Sequence, residues 1–296
     1  MAAILTRGAN LPPAVVEEMF NGVKGHSALA RLSDQRPIAF NGTREFVFTL
    51  DKEADLVAEN GPKSNGGGDA QPVTIIPVKF EYGMRVSDEF MIGSEEYRLD
   101  VLRTFAEASG KVFARGLDIA AFHGVNPRTG QPSTITQVAN MNFDTVVTQT
   151  VTYDATQPDN NLEAAVALIQ GSNGDVTGIA MAPTFSAAMA QLKVNGVPQF
   201  PEFRFGANPE NLYGKRTDVN STVAVGAVDE AIVGDFARAF RWGYAKDIAL
   251  EVIEYGNPDN DAQLGDLKGH NQVYLRCEAY IGWGILAPSS FARITD

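Results

Sequence analysis

A chain of 296 residues is long enough for one elaborate domain or two modest ones. Its 44% apolar residues can fill a substantial core, and its net charge of −12 leaves little positive surface. Nonspecific affinity for nucleic acid depends on Lys and Arg that neutralise phosphates, so tight binding to a phosphate backbone is not expected. With one cysteine, Cys277, the chain forms no intramolecular disulfide.

The sequence also argues against a membrane or secreted protein. Its apolar runs fall far short of the ~20 residues that a transmembrane helix needs, and no secretion signal opens the chain. A reducing cytoplasm is therefore the simplest compartment.

The first 36 residues are weakly patterned. Pro12 and Pro13 are placed to begin a short helix over 14–23. Its apolar face cannot form a core of its own, so it must pack either on the body of the same subunit or on a neighbouring one.

Residues 39–50 alternate apolar and polar side chains, which predicts a strand. A second strand is predicted over 73–86, with Pro77 placing part of it at a sheet edge, and the segment between is polar and glycine-rich. An isolated hairpin is marginal in water and needs a surface to lie on. The alternative is a disordered surface loop. We favour an arm that contacts neighbouring copies through Phe46, Phe48, Leu50, Asp55, Glu59 and Lys63.

Helical spacing of apolar residues predicts one long helix over about 95–122. Its predicted core residues are Leu99, Leu102, Phe105, Phe113 and Leu117. The opposite face is charged and is expected to face water. Such a helix is usually core architecture.

Residues 151–234 predict a compact α/β layer with a buried strand over 176–181. Further strands are predicted over 222–228 and 231–255, with a tight reversal at 241–244, and a long strand begins near residue 271.

Familiar catalytic and nucleotide-binding motifs are absent from the sequence. His26, His123 and His270 show no ligand spacing, so a shared metal site is not predicted. The Asp259 to Asp261 segment lacks the glycine and glutamate of an EF-hand loop, which favours a solvated loop. We expect no metal and no cofactor.

The order of short motifs gives a further indication. A polar triplet precedes the long helix, and a loop rich in Gly and Pro follows it. The positions that carry this pattern are Ser87, Asp88, Glu89, Phe122, Gly124, Asn126, Gly130 and Pro132. Together with the Gly-Asp-Phe segment at 234–236, this order resembles the major capsid protein family of tailed bacteriophages, whose fold is shared with encapsulin shells. One departure is Arg216, which follows Gly214 and Lys215 at the position where the family's Leu-x-Gly-x-Pro motif has a proline.

The resemblance implies an α+β fold, the tailed-phage major capsid protein fold. Its parts are an N-terminal arm, an extended β-hairpin loop, a proximal domain around a spine helix, and an axial α/β domain. The corresponding ranges are 1–36 for the arm, 37–84 for the loop, 85–150 and 235–278 for the proximal domain, and 151–234 and 279–296 for the axial domain.

In some members of this family an arm lysine attacks an asparagine of a neighbouring subunit, assisted by a glutamate, and forms an isopeptide bond. The resemblance places Lys63, Asn271 and Glu278 at the corresponding positions. The reaction needs a neutral lysine, which burial among apolar groups can produce. Because the segment around Lys63 is very polar, we favour a chain without this crosslink and without catalytic residues.

The implied function is that of a structural subunit of an icosahedral capsid, which self-assembles into hexamers and pentamers around the double-stranded DNA genome of a tailed phage. Its first partner is itself. A portal, scaffold or decoration protein is also expected, and DNA is enclosed without sequence-specific binding. Because the arm strand begins by Ala39, we expect no internal scaffold segment. The expected location is the virion, after assembly in the host cytoplasm.

The alternatives are an encapsulin-type compartment, an accessory tail or decoration protein, and an enzyme without a familiar motif.

Overall fold

The computed structural model describes residues 26–50, 52–226 and 229–296, and the helix predicted over 14–23 lies outside them. Its helices are α1 (Ala28–Leu32), α2 (Glu89–Ile92), α3 (Glu95–His123), α4 (Thr136–Asn140), α5 (Phe143–Val146), α6 (Pro158–Gly171) and α7 (Pro183–Gln191), with 3-10 turns at Pro201–Gly206, Lys268–His270 and Pro288–Ser290. Its strands are β1 (Thr43–Leu50), β2 (Gly68–Ile75), β3 (Val78–Ser87), β4 (Thr150–Thr152), β5 (Gly178–Met181), β6 (Lys193–Val194), β7 (Val197–Pro198), β8 (Asn211–Leu212), β9 (Lys215–Val219), β10 (Asp229–Gly234), β11 (Phe240–Ile253), β12 (Gln272–Ile285) and β13 (Phe291–Thr295).

Helix α3 has 29 residues and matches the helix predicted over 95–122. Ser94 caps its N-terminus by accepting a hydrogen bond from the Tyr97 amide at 3.3 Å. Gly124 ends the helix in the left-handed region, with φ of 66°. At 1.5 Å per residue the helix is about 43 Å long, enough to cross a domain.

One side of α3 is buried from Leu102 onward. Leu102, Phe105, Phe113 and Leu117 are all buried. The prediction that Leu99 belongs to the core is wrong for the single subunit, since Leu99 is 37% exposed. The reason is local: the first turns of the helix extend beyond the elements that cover its later turns, and the described side chains over 96–101 are exposed or half-buried.

The hairpin forms as an antiparallel pair of β1 and β2, from Thr43 opposite Ile75 to Leu50 opposite Gly68. The strand predicted over 73–86 is two strands. It breaks at Ile76 and Pro77, and β3 then pairs with β12 in another sheet. Proline has no amide hydrogen to donate to a ladder, so the chain changes sheets there.

A three-stranded antiparallel sheet has the order β11, β12, β3. The reversal predicted at 241–244 is wrong, because β11 runs through this segment and Gly243 lies opposite Gly282 of β12. A Cβ on Gly243 would overlap the carbonyl oxygen of Arg36, whose amide donates to the Trp242 carbonyl at 2.9 Å. Gly243 therefore permits close approach of the N-terminal segment to β11 and does not make a turn.

A mixed six-stranded sheet has the order β4, β13, β10, β5, β9, β8. Strand β5 is completely buried, as predicted for 176–181. Helix α6 packs against β4, β10 and β13 of this sheet, and α7 packs against β10. The strand predicted over 222–228 is wrong over 222–226, which form turns, and residues 227–228 lie outside the described part. These turns bring the chain from β9 back toward α3.

The two larger sheets share one core. Phe143 contacts the rings of Phe122, Phe236, Phe240 and Phe291, with ring centroids 5.0–6.0 Å apart. This aromatic cluster joins the end of α3 to strands of both sheets.

Three of the domain limits drawn from the sequence fall inside strands. The limit at 84/85 lies in β3, that at 150/151 in β4, and that at 278/279 in β12. Alternation of side chains marks a strand but not the sheet to which it belongs, so these limits could not be placed from the sequence.

Candidate functional site

The β1–β2 hairpin presents aromatic side chains to water. Phe46 is 62% exposed and Phe48 is 73% exposed, and alternate residues of a strand share a face. Burial of a phenylalanine contributes about 1.5–3 kcal/mol, so two exposed rings on one face of a hairpin indicate a surface that another molecule covers. Leu50 ends the same strand, and its side chain lies outside the described residues.

The base of this hairpin is fixed to the body of the subunit. Glu45 forms an ion pair with Arg241 of β11. Ile75 is buried over Gly282 and Gly284 of β12, and a Cβ on Gly284 would lie 2.7 Å from the Ile75 side chain. The glycines thus let the hairpin base sit directly on the sheet.

The tip of the hairpin is polar. Asp55, Glu59 and Lys63 are exposed along the connection between β1 and β2. Within this connection Lys52 Nζ donates to the Asn65 carbonyl at 3.3 Å. The tip therefore offers charges of both signs to a neighbour, whereas the strands offer aromatic rings.

The three residues that the resemblance assigned to a crosslink are not together in one subunit. Asn271 is exposed at the turn before β12, and Glu278 is half-buried in the middle of that strand. At about 3.3 Å per residue the two lie about 23 Å apart. Glu278 is also engaged by Lys79 Nζ at 2.6 Å and by Arg276 Nε at 3.4 Å, and its hydrogen bond raises the pKa of Lys79.

A buried ionic cluster, which the sequence did not indicate, lies where α3 ends. Nδ1 of His123 is 3.0 Å from Oδ2 of Asp144, and its Nε2 is 3.0 Å from the Thr222 carbonyl oxygen. Nη2 of Arg293 lies 2.8 Å from Asp144 Oδ1 and 2.9 Å from Asp229 Oδ1. We call these four side chains, His123, Asp144, Asp229 and Arg293, the junction cluster.

The junction cluster could not be found from spacing, because its members come from α3, α5, β10 and β13. His123, Asp144 and Asp229 are close enough together to ligate a metal. Their neighbours fit another arrangement better: the guanidinium of Arg293 contacts both carboxylates, and both His123 nitrogens face acceptors. The polar groups of the cluster are thus paired with one another, so we interpret the cluster as structural.

A second buried carboxylate anchors the N-terminal segment. Asp118 of α3 is fully buried and accepts four hydrogen bonds. Its donors are Ser27 Oγ at 2.6 Å, the Ala28 amide at 2.8 Å, the Leu29 amide at 3.2 Å and Thr222 Oγ1 at 2.9 Å. Burial raises the pKa of the Asp118 carboxyl to about 6, although these donors oppose the shift.

The loop around Asp259 is held by arginine. Arg85 donates to Asp259 Oδ1 at 2.6 Å and to the Gly265 carbonyl at 2.8 Å. This hydrogen bond lowers the pKa of Asp259 to about 2. Arg85 thus fixes the loop that carries Asp259.

In the part of the chain that the structure describes, no helix has the length and apolar character to cross a bilayer. The prominent surface features are instead an anchored hairpin with exposed aromatic rings and a long helix that supports a sheet. Such features are typical of a structural protein.

The chain belongs to the phage capsid family, whose model matches residues 8–296. A comparison with curated proteins finds no match.

Solved structures support the same family. A chain of Mycobacterium phage Ogopogo is 31% identical, with 92% of each chain covered and a TM-score of 0.74. A chain of Gordonia phage Cozz is 23% identical over 91% of this chain and 86% of that one, with a TM-score of 0.73. A capsid chain of an empty GTA particle with C5 symmetry is 13% identical over 100% of this chain and 94% of that one, with a TM-score of 0.62.

These findings confirm the predicted fold class and identify the chain as a structural subunit of a phage capsid. They favour a phage shell over the encapsulin-type and accessory-protein alternatives. Membership of this family also implies self-association into a shell and a place in the virion.

Proposed function

We propose that the protein forms hexamers and pentamers that close into an icosahedral shell around the double-stranded DNA of a tailed phage. The observation that carries this proposal is the β1–β2 hairpin, fixed at its base by Glu45 and Ile75 and exposing Phe46 and Phe48 farther along. A hairpin that extends from one subunit onto the next makes a heterologous contact, and such contacts generate rings when the rotation between subunits closes.

We assign the two larger sheets to the two domains expected of this fold. The proximal domain would contain α3 with the β11–β12–β3 sheet, and the axial domain would contain the six-stranded sheet with α6 and α7. The whole of β12 then belongs to the proximal domain. The described part of residues 1–36 would act as the root of an N-terminal arm.

The proposed partners beyond further copies of the chain are a portal protein and a scaffold or decoration protein. The net charge of −12 supports a shell lining that does not hold DNA tightly, since strong phosphate binding would hinder packaging and release of the genome. We propose no catalytic activity, and we propose assembly in the host cytoplasm.

The hairpin is tested by replacing both exposed rings, with the double variant Phe46→Ser and Phe48→Ser. Because these side chains contact water in the single subunit, the variant should fold with an unchanged circular dichroism spectrum. It should lose the ability to form rings and shells, as measured by size-exclusion chromatography and electron microscopy.

The matched control is Leu168→Ser, which removes another exposed apolar side chain from helix α6. We expect this variant to assemble as the wild type does. Normal shells from the double variant would refute the role of the hairpin.

A further inference from the structure

His123 is the last residue of α3, and both of its ring nitrogens lie close to hydrogen-bond acceptors. Nδ1 is 3.0 Å from a carboxylate oxygen of Asp144, and Nε2 is 3.0 Å from the carbonyl oxygen of Thr222. A neutral imidazole has one N–H donor and one acceptor, whereas an imidazolium has two donors. Because His123 lowers the pKa of Asp144 and keeps it ionised, both contacts are hydrogen bonds only when His123 carries a proton on each nitrogen.

The charged groups that face His123 come from three other elements. Asp144 lies on α5, Asp229 on β10 and Arg293 on β13. Arg293 also donates through Nε to Asp229 Oδ1 at 3.1 Å and through Nη1 to the Asp144 carbonyl at 3.1 Å. The side chains of His123, Asp229 and Arg293 are almost completely removed from water, so their interactions are weakly screened.

Thr222 is held by the spine helix at two points. Its carbonyl accepts from His123, and its hydroxyl donates to Asp118 at 2.9 Å. His123 and Asp118 both belong to α3, while Thr222 belongs to the turns between β9 and β10 of the six-stranded sheet. The hydrogen bond between His123 and Thr222 thus connects the helix to that sheet.

We propose that His123 makes the contact between α3 and the six-stranded sheet pH-sensitive. Protonated His123 stabilises this contact, and the loss of a proton from His123 weakens it. After deprotonation one ring nitrogen carries a lone pair. If the remaining proton stays on Nδ1 beside Asp144, the lone pair of Nε2 faces the Thr222 carbonyl oxygen. The hydrogen bond between them is then replaced by electrostatic repulsion. This effect of His123 arises within one subunit, so it does not depend on the proposed shell assembly.

The direction of the pH effect follows from the surroundings of each group. Burial lowers the pKa of His123, but the hydrogen bond and the charge of Asp144 outweigh it, and the net pKa is raised. The stabilisation from His123 is therefore fully present below its ordinary pKa of about 6.5 and is lost as the pH rises through the raised value.

Three carboxylates define the rest of the pH window. Burial raises the pKa of Asp118, which binds the Thr222 hydroxyl, to about 6, so a rising pH disfavours this contact as well. Burial raises the pKa of Asp229 to about 7, although Arg293 opposes the shift, so a rising pH also disfavours the cluster at this residue. Burial would raise the pKa of Asp144, but His123 lowers it below the ordinary value, so its stabilisation is lost only under acidic conditions. The junction should be tightest at mildly acidic pH and should loosen above neutrality.

The direct test is a pH titration of the full chain labelled with ¹⁵N-histidine. Solution NMR serves for the free subunit, and magic-angle-spinning NMR serves for assembled particles. We expect both nitrogens of His123 to show the chemical shifts of a protonated ring at pH 6, with a midpoint above the ordinary value of about 6.5. A single neutral tautomer of His123 at pH 6 would overturn the proposal.

The second test measures thermal unfolding of the wild type, His123→Gln and His270→Gln between pH 5.5 and pH 9. His123→Gln should lower Tm by about 5 °C at pH 5.5, and the difference from wild type should shrink toward zero at pH 9. His270 is exposed, so His270→Gln should leave Tm unchanged at both pH values.

An equal loss of Tm at pH 5.5 and pH 9 in His123→Gln would mean that His123 only fills space, and it would overturn the proposed pH dependence. If His123→Gln does not fold, the wild-type titration decides the matter alone, because it requires no variant.

Discussion

At the scale of single residues, the N-terminal segment is fixed by side chains on α3 and by backbone pairing with β11. Asp118 accepts from Ser27 and from the first amides of α1, which is the usual role of a helix N-cap. The Arg36 amide then pairs with the carbonyl of Trp242. The segment is thereby fastened at two places before the β1–β2 hairpin begins.

We predict that Asp118→Ala destabilises the subunit by about 3–5 kcal/mol, measured by urea unfolding. The substitution leaves three buried donors without an acceptor, Ser27 Oγ and the amides of Ala28 and Leu29, and such groups retain their full desolvation penalty. Thr222 Oγ1 keeps its hydrogen bond to Asn220 Oδ1 at 3.0 Å. Asp100→Ala is the control, because Asp100 lies on the exposed side of the same helix and its loss should change stability little. Equal stability of the two variants would show that the buried anchor contributes nothing.

Individual residues were predictable from the sequence where a continuous pattern supports them. Phe113 and Leu117 lie on the buried side because the helical period is unbroken around them. Leu99 carries the same period but lies beyond the covered part of the helix. His123 was unpredictable in another way, since its partners come from distant segments that only the folded chain brings together.

At the scale of elements, long regular patterns were predicted well and sheet membership was not. Helix α3 has a serine before its first turn and a glycine after its last, so both its type and its limits could be predicted. The separation of β2 from β3 depends on which strand each one pairs with, and a proline is compatible with an edge as well as with a break. Gly243 was mistaken for a turn because close approach of another backbone leaves no local pattern.

We expect no covalent ladder on denaturing gels of mature particles, and Lys63→Ala should leave the gel mobility unchanged. Lys63 is exposed, and Glu278 is already paired with Lys79 in its own subunit. Lys52→Ala serves as the control, because it removes another lysine of the same hairpin connection. A ladder that is present in the wild type and in Lys52→Ala, but absent in Lys63→Ala, would establish the crosslink.

At the scale of the whole molecule, one hydrophobic core holds two sheets together while the hairpin extends from the body. The core joins α3 to both sheets through the cluster around Phe143, so the body should move as a unit. The hairpin is attached at its base, where Ile75 is buried against Gly282 and Gly284 of β12. This division of a packed body and an exposed arm suits a subunit whose stability and assembly depend on different residues.

The central claim is that copies of this chain assemble into a closed shell. Negative-stain electron microscopy of the purified protein after size-exclusion chromatography tests it most directly. The account predicts rings of five and six subunits, or closed shells without cargo. A protein that stays a monomer at high concentration and in the presence of a crowding polymer would contradict it.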